Sequence, residues 1–255
     1  RGLGDVYKRQ EQDIKNFYDQ QGICHVVLPE RGHLSPGMFC VGGDSHSPTG
    51  GAFGAYMFGI GATEMAGVLA TGKIWIKVPE TILIKWAGQT DAFVTAKDMM
   101  LATCAKIGMG GGRYQAIQYA GEAIHKLNMQ ERMTMSNMAA ELGAQAGLIS
   151  PDETTIEYLK SVNASILDNW QNYQIEKPDL NGEVINLDAS SLSPQIAAPH
   201  SPENSSDVDD FKNISFDIAY IGACTGAKYT DLMAAASILK NRKVSSNVCL
   251  KVAPA

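Results

Sequence analysis

Residues 41–61, VGGDSHSPTGGAFGAYMFGIG, constrain the fold more than any other stretch of the chain. Asp44, Ser45 and His46 are adjacent, and neither a helix nor a strand can point three consecutive side chains in one direction. A turn can. The seven glycines of the stretch let backbone approach a ligand closely and offer free N–H groups. The combination predicts a polar site at the end of a secondary-structure element, flanked by apolar helix. Taken alone, the same pattern also fits a Gly-rich turn closed by a hydrogen-bonded Asp.

Two catalytic alternatives fail on spacing. A Gly-Asp-Ser opening is shared with serine esterases that need a later Asp-x-x-His to complete a triad. None of the five histidines, His25, His33, His46, His125 and His200, has Asp three positions before it. A dinucleotide loop needs Gly-x-Gly-x-x-Gly after a strand, and Gly59-Ile60-Gly61 supplies only its first half. Residues 67–73, GVLATGK, spell the first seven positions of a phosphate-binding P-loop, but Ile74 stands where Ser or Thr must bind magnesium. Gly72 reads more simply as a helix C-cap.

Composition narrows the partners. At 255 residues the chain can bury one large core or two modest ones. A net charge of −6 argues against a nucleic-acid face, so an anionic substrate has to be held by local groups. No apolar run approaches a membrane span, and nothing reads as a signal peptide. The cysteines Cys24, Cys40, Cys104, Cys224 and Cys249 are scattered, which fits a reducing cytoplasm better than a disulfide framework.

Periodicity predicts the elements in order. A helix is expected over 11–20, a buried strand over 23–28 containing His25, and a second strand over 38–42 that delivers the Asp44 turn. Helices follow over 62–71, with Met65, Val68 and Leu69 on one face, and over 96–107 with Thr95 as cap. The alternations Ile74, Ile76, Val78 and Ile82, Ile84, Trp86 predict a strand pair or one long kinked strand. Residues 114–127 read as helix. Within 128–147, Asn137 and Glu141 are four apart, hence on one helix face among small residues. Pro151 opens another helix with Ile156 and Leu159 buried. Residues 176–210, rich in Pro, Ser, Asn and Asp, read as a connection with one short strand near 184–187. A buried strand over 216–221 then runs into Cys224, between that strand and a helix over 229–239, where a thiol pKa is expected to fall. Strand pattern resumes over 244–252.

Set in order, Ile23-Cys24-His25, Pro29-Glu30, Gly43-Asp44-Ser45-His46, Gly51-Ala52-Phe53-Gly54-Ala55, Phe58-Gly59-Ile60-Gly61, Thr95 to Asp98, Arg132 to Glu141, Pro151 to Glu153 and Cys224-Thr225 resemble the aconitase superfamily. Within it the likeness is to the large subunits of 3-isopropylmalate dehydratases. The resemblance implies an α/β fold, with three-layer α/β/α lobes around a cluster and substrate cleft, incomplete in this chain. It further implies an iron–sulfur hydro-lyase that isomerises 2-isopropylmalate and 3-isopropylmalate by dehydration and rehydration, in leucine synthesis. Homoaconitase, methylmalate (citraconate) hydratase, aconitase and, from another class, a cluster-free RNA-binding relative are the alternatives.

By that resemblance His25, Asp44, His46 and Glu141 hold and protonate the water and hydroxyl, Ser45 binds a substrate carboxylate, and Asn137 lies behind a [4Fe–4S] cluster for which Cys224 is one ligand. The substrate is a small di- or tricarboxylate. The partner is a small-subunit swivel domain carrying the serine base. Family members hold Asn and Arg where Gly226 and Lys228 stand here. Residues 1–10 match nothing in the family and are set aside as a cloning or gene-calling scar. Residues 11–175 are expected to form the aconitase-type region, 176–213 the inter-lobe connection and 214–255 the truncated start of the next lobe. The two further cluster cysteines and an upstream Asp-His pair are expected outside these residues, leaving this piece inactive by itself.

Overall fold

The computed structural model describes residues 3–174 and 182–255. The chain begins with helices α1 (Leu3–Glu11) and α2 (Cys24–Glu30), then runs through strand β1 (Phe39–Gly42), a 3-10 segment (Ser47–Phe53) and strand β2 (Tyr56–Gly59). Next come α3 (Ala62–Thr71), β3 (Thr81–Ala87), α4 (Ala96–Ile107), β4 (Ala116–Ala120), α5 (Glu122–Lys126), α6 (Met129–Asn137), β5 (Ala146–Ile149) and α7 (Glu153–Ser161). The last part holds β6 (Val184–Asp188), β7 (Gln195–Ala197), β8 (Ser205–Asp207), β9 (Ile218–Ile221), α8 (Tyr229–Leu239) and β10 (Cys249–Val252). This is an α/β fold.

A four-stranded parallel sheet, in the order β5-β4-β3-β6, forms the centre. Ile82, Leu83 and Ile84 are all buried, as expected for a parallel strand covered on both faces. β1 and β2 make a separate parallel pair, β9 and β10 another, and β7 and β8 an antiparallel one. Two apolar cores flank α6. Met135 and Met138 join Ile84, Trp86, Met99 and Ile117 in one. Met129 and Met133 join Val26, Phe53, Ile156 and Leu159 in the other. A helix buried all round has no solvent stripe, and α6 accordingly also buries Arg132, Thr134, Ser136 and Asn137.

Arg132 is fully buried and uses every donor of its guanidinium. Nε donates to Leu127 O, one terminal nitrogen to Asp152 Oδ1 (2.6 Å) and Thr155 Oγ1, the other to Asp152 Oδ2 (2.8 Å) and His125 O. Asp152 also caps α7 by accepting from Thr155 N. Burial works to raise the Asp152 pKa, but the Arg132 hydrogen bonds and charge outweigh it and hold the carboxyl below its usual range. Asp152→Ala is therefore expected to destabilise the fold by about 3–5 kcal/mol, since it strands a buried cation and removes a cap. A folded-state pKa below the unfolded value of about 3.9 means that this stabilisation is complete above that pH and lost as pH falls through the lower folded value. Urea unfolding from pH 7 down to pH 3 measures both. A difference between wild type and variant of under 1 kcal/mol at pH 7 would contradict the assignment.

Several sequence expectations change. The segment at 23–28 is the helix α2, not a strand. Its valines are strand-formers locally, but Val26 and Val27 are buried on the helix and tertiary packing overrides propensity. Residues 114–127 are not one helix but β4 followed by α5. A strand buried on both faces gives an unbroken apolar run that periodicity cannot tell from a helix. No helix forms over 12–20, where Ile14, Phe17 and Tyr18 suggested one; the first helix, Leu3–Glu11, falls instead almost wholly within the residues set aside. Residues 74–78 form no strand, and Trp75 is 86 % exposed. α3 has the expected bounds but no buried residue. β9 is not buried, since Ile218 and Tyr220 are exposed. β6 docks beside β3 as the fourth strand of the central sheet, so part of the expected connection belongs to the core. The start of that connection, at 176–181, lies outside the described residues.

One close approach sets the geometry around the site. A Cβ on Gly51 would sit 1.8 Å from Gly147 O, so only a glycine lets the 3-10 segment lie flat on β5. No described helix is long and apolar enough to cross a membrane.

Candidate active site

β1 ends at Gly42, and the chain turns at once. Ser47 Oγ donates to Asp44 O (2.7 Å) and Thr49 Oγ1 to His46 O (2.7 Å), which fixes the turn from its 3-10 side. On the other side β2 presses against it. A Cβ on Gly59 would meet Asp44 O at 2.5 Å. The turn is thus held by hydroxyls on one flank and by backbone on the other, and the side chains of Asp44, Ser45 and His46 are left to face the cleft.

Asp44 Oδ1 accepts from the backbone N of His46 (2.8 Å) and pairs with His25 Nε2 (2.7 Å) from α2. His46 Nε2 meets Glu141 Oε1 at 3.1 Å, and the two imidazole centroids are 6.2 Å apart. Two carboxylate–histidine pairs therefore stand side by side, built from three separate parts of the chain. Ser45 is exposed beside them, its Oγ 3.2 Å from His46 Nδ1. Glu141 does not share a helix face with Asn137. α6 ends at Asn137, and Glu141 lies in the turn that follows.

The pairs differ electrically. The Glu141 hydrogen bond pulls the His46 pKa above its ordinary value despite partial burial. His25 is lowered, because its burial outweighs the attraction of Asp44. Asp44 is held below the usual carboxylate range, first by the His46 N–H and then by the His25 hydrogen bond, against burial. One imidazole is thus disposed to carry a proton and its neighbour to stay neutral, the separation of roles that acid–base chemistry requires.

Behind the pairs, Asn137 Nδ2 donates to Thr49 Oγ1 (2.8 Å) and to Cys224 Sγ (3.2 Å). One amide thus ties the Asp44 turn to the Cys224 loop. Lys228 ties the same loop to α6, its Nζ donating to Thr134 Oγ1 (2.8 Å) and Cys224 O (3.3 Å) and pairing with Asp231 (3.0 Å). Thr49 and the anchoring role of Lys228 were not legible in the sequence. Each acts through a contact more than 80 residues distant, and no local pattern records that.

Asn137 Oδ1 and Glu141 Oε2 are buried with no hydrogen-bond partner among the described residues, so the site expects a polar occupant. Among the described residues no group of three His, Cys, Asp or Glu side chains is poised to hold a metal alone. Cys224 is partly exposed and accepts a hydrogen bond at sulfur, so the site presents one soft sulfur donor of the kind that an iron–sulfur cluster would take. Cys24, beside His25, has its thiol pushed up by burial and by Asp44. Cys104 is fully buried and pushed up to about 12.

The family profile described as aconitase family (aconitate hydratase) matches residues 6–216. The chain is 42 % identical over 247 residues to a probable 3-isopropylmalate dehydratase large subunit of Methanothermobacter thermautotrophicus, covering 96 % of this chain and 58 % of that protein. It is 43 % identical over 249 residues to 3-isopropylmalate dehydratase large subunit 1 of Methanopyrus kandleri, with the same coverage. To a probable methanogen homoaconitase large subunit of Methanosarcina mazei it is 43 % identical over 237 residues, covering 92 % of this chain and 60 % of that one. The chain thus spans a little under three fifths of the length of the first of these curated relatives. With the profile spanning most of its length and two carboxylate–histidine pairs gathered at one cleft, the chain belongs to the aconitase family.

Proposed function

We propose that the chain is the large-subunit part of an iron–sulfur hydro-lyase that isomerises 2-isopropylmalate and 3-isopropylmalate, a step of leucine synthesis. The observation that carries the reading is the convergence of His25–Asp44 and His46–Glu141 on one cleft, with Cys224 held behind it by Asn137. Hydroxide is a poor leaving group. His46, kept charged by Glu141, is the proton donor to the departing hydroxyl, and the same pair takes the proton back when water re-adds. His25 and Asp44 orient the water through the neutral imidazole. Ser45 donates to a substrate carboxylate. A [4Fe–4S] cluster with Cys224 as one ligand would supply a Lewis acid for the hydroxyl.

The names of the relatives as large subunits support a small-subunit partner carrying the swivel domain and its base. The compartment this reading favours is a reducing cytoplasm, in keeping with five free cysteines. A second reading, homoaconitase, is favoured by the relative of that name at equal identity. The test uses the full-length protein with its small subunit, reconstituted anaerobically with iron and sulfide. Hydration of 2-isopropylmaleate is expected at a higher kcat/KM than that of cis-homoaconitate. The reverse order would assign the second substrate, and turnover of neither would overturn the reading.

A further inference from the structure

The cleft at Asp44 and Ser45, about 420 Å³, adjoins another of about 550 Å³ that ends at Lys73 and Trp75. Gly59, Ile60, Tyr114 and Gln145 border both. Gln145 stands at the junction and is only 5 % exposed. Its backbone is fixed, N donating to Gln115 O at 2.9 Å. Its Oε1 accepts from the Tyr56 hydroxyl. Burial pushes the Tyr56 pKa up to about 12, so that hydroxyl keeps its proton and keeps donating. With Oε1 occupied, Nε2 makes no hydrogen bond to the described residues, and unlike Asn137 Oδ1 and Glu141 Oε2 it is not sealed from solvent, so its two N–H bonds are open at the lining of the clefts. Opposite, Arg113 and Tyr114 are consecutive left-handed residues (φ 46° and 56°), a backbone arrangement that costs energy at each non-glycine position. Tyr114, which borders both clefts, is 62 % exposed.

A donor that opens on the cleft and has no partner in the protein is free to meet an acceptor that fills it, and the Tyr56 bond holds it in one orientation. We propose that Gln145 is a substrate-contacting residue whose amide N–H groups take the carboxylate of the hydroxy acid that Ser45 does not, with Tyr56 as the positioning residue that sets the amide's orientation. The inference rests on the reading of this cleft as a hydroxy-acid site.

The test uses the full-length protein with its small subunit, and 2-isopropylmaleate as probe in both calorimetric binding and turnover. Gln145→Glu keeps the size and the acceptor for Tyr56 but replaces the donors with negative charge. It is expected to weaken binding and raise KM by roughly tenfold or more, the loss of one charge-assisted hydrogen bond, with kcat and Tm little changed. Gln145→Met should weaken binding similarly, and Tyr56→Phe by a few-fold. Of the two monomethyl esters, the one blocked at the carboxylate that Gln145 takes should bind wild type and Gln145→Met alike, whereas the other should keep the difference. Unchanged Kd and KM in both Gln145 variants would overturn the proposal. So would a loss of kcat and Tm without loss of affinity, since that is what a merely structural residue does. If wild type binds the probe but does not turn it over, the reaction assignment falls while the binding comparison still decides for Gln145. If it binds no dicarboxylate, both fall.

Discussion

Cys224→Ser in the full-length enzyme is expected to abolish the brown absorbance of the reconstituted protein and to lower turnover by about a thousandfold or more, because a serine oxygen is a harder ligand than iron prefers. The fold should survive. Cys224 is partly exposed, and Lys228 holds its loop through the backbone carbonyl rather than the sulfur. Cys104→Ser is the matched control. That thiol is buried in the α4 core and far up its titration range, so its loss should cost stability and leave absorbance intact. Equal absorbance and activity in the two variants would remove Cys224 from the site.

Glu141→Gln is expected to lower kcat by about 10²–10⁴-fold, the usual yield of a positioned acid or base. The amide preserves size and can still meet His46 Nε2, but it cannot stabilise an imidazolium. The Glu141 hydrogen bond is the largest cause of the raised His46 pKa, so the variant's His46 must titrate lower. Since the donor form is the protonated one, the alkaline limb of the rate profile should move to lower pH. NMR titration of the two imidazoles gives a second readout. In wild type His46 should titrate above its ordinary value and His25 below it, and the substitution should move His46 far more than His25. An unmoved His46 would break the link between Glu141 and proton transfer.

Much of the local structure was legible because its causes are local. Thr95 and Asp98 form a capping box within four residues, Gly72 takes the left-handed cap that ends α3, and α8 runs over the expected residues. The Asp44 turn was legible for a similar reason, since three adjacent polar side chains admit little but a turn. What failed depends on the far side of a contact. β4 reads as helix until one knows that β3 and β5 flank it, and α2 reads as strand until Val26 and Val27 are placed in the core. The site divides along the same line. Asp44, Ser45 and His46 announce themselves, whereas Glu141, 95 residues from its partner His46, drew notice by a helical spacing that the structure does not keep, and its role came only through resemblance. Gln145 carries no pattern, because its role depends on Tyr56 and on empty space.

The burial of α6 between two cores bears on how such a site can change over generations. Met129 and Met133 answer to one core and Met135 to the other, so a shift of the helix that suits one core is judged again by the other. Its last residue answers besides to the Asp44 turn and the Cys224 loop together. Drift in this helix is therefore penalised from several directions, and the floor of the cleft is poor material for innovation. The walls are different. Tyr114 and Lys73 are exposed, and the Gln145 side chain hydrogen-bonds only that of Tyr56 among the described residues. A lineage whose ligand changes has its freedom there, along the walls, while the machinery beneath stays as it was.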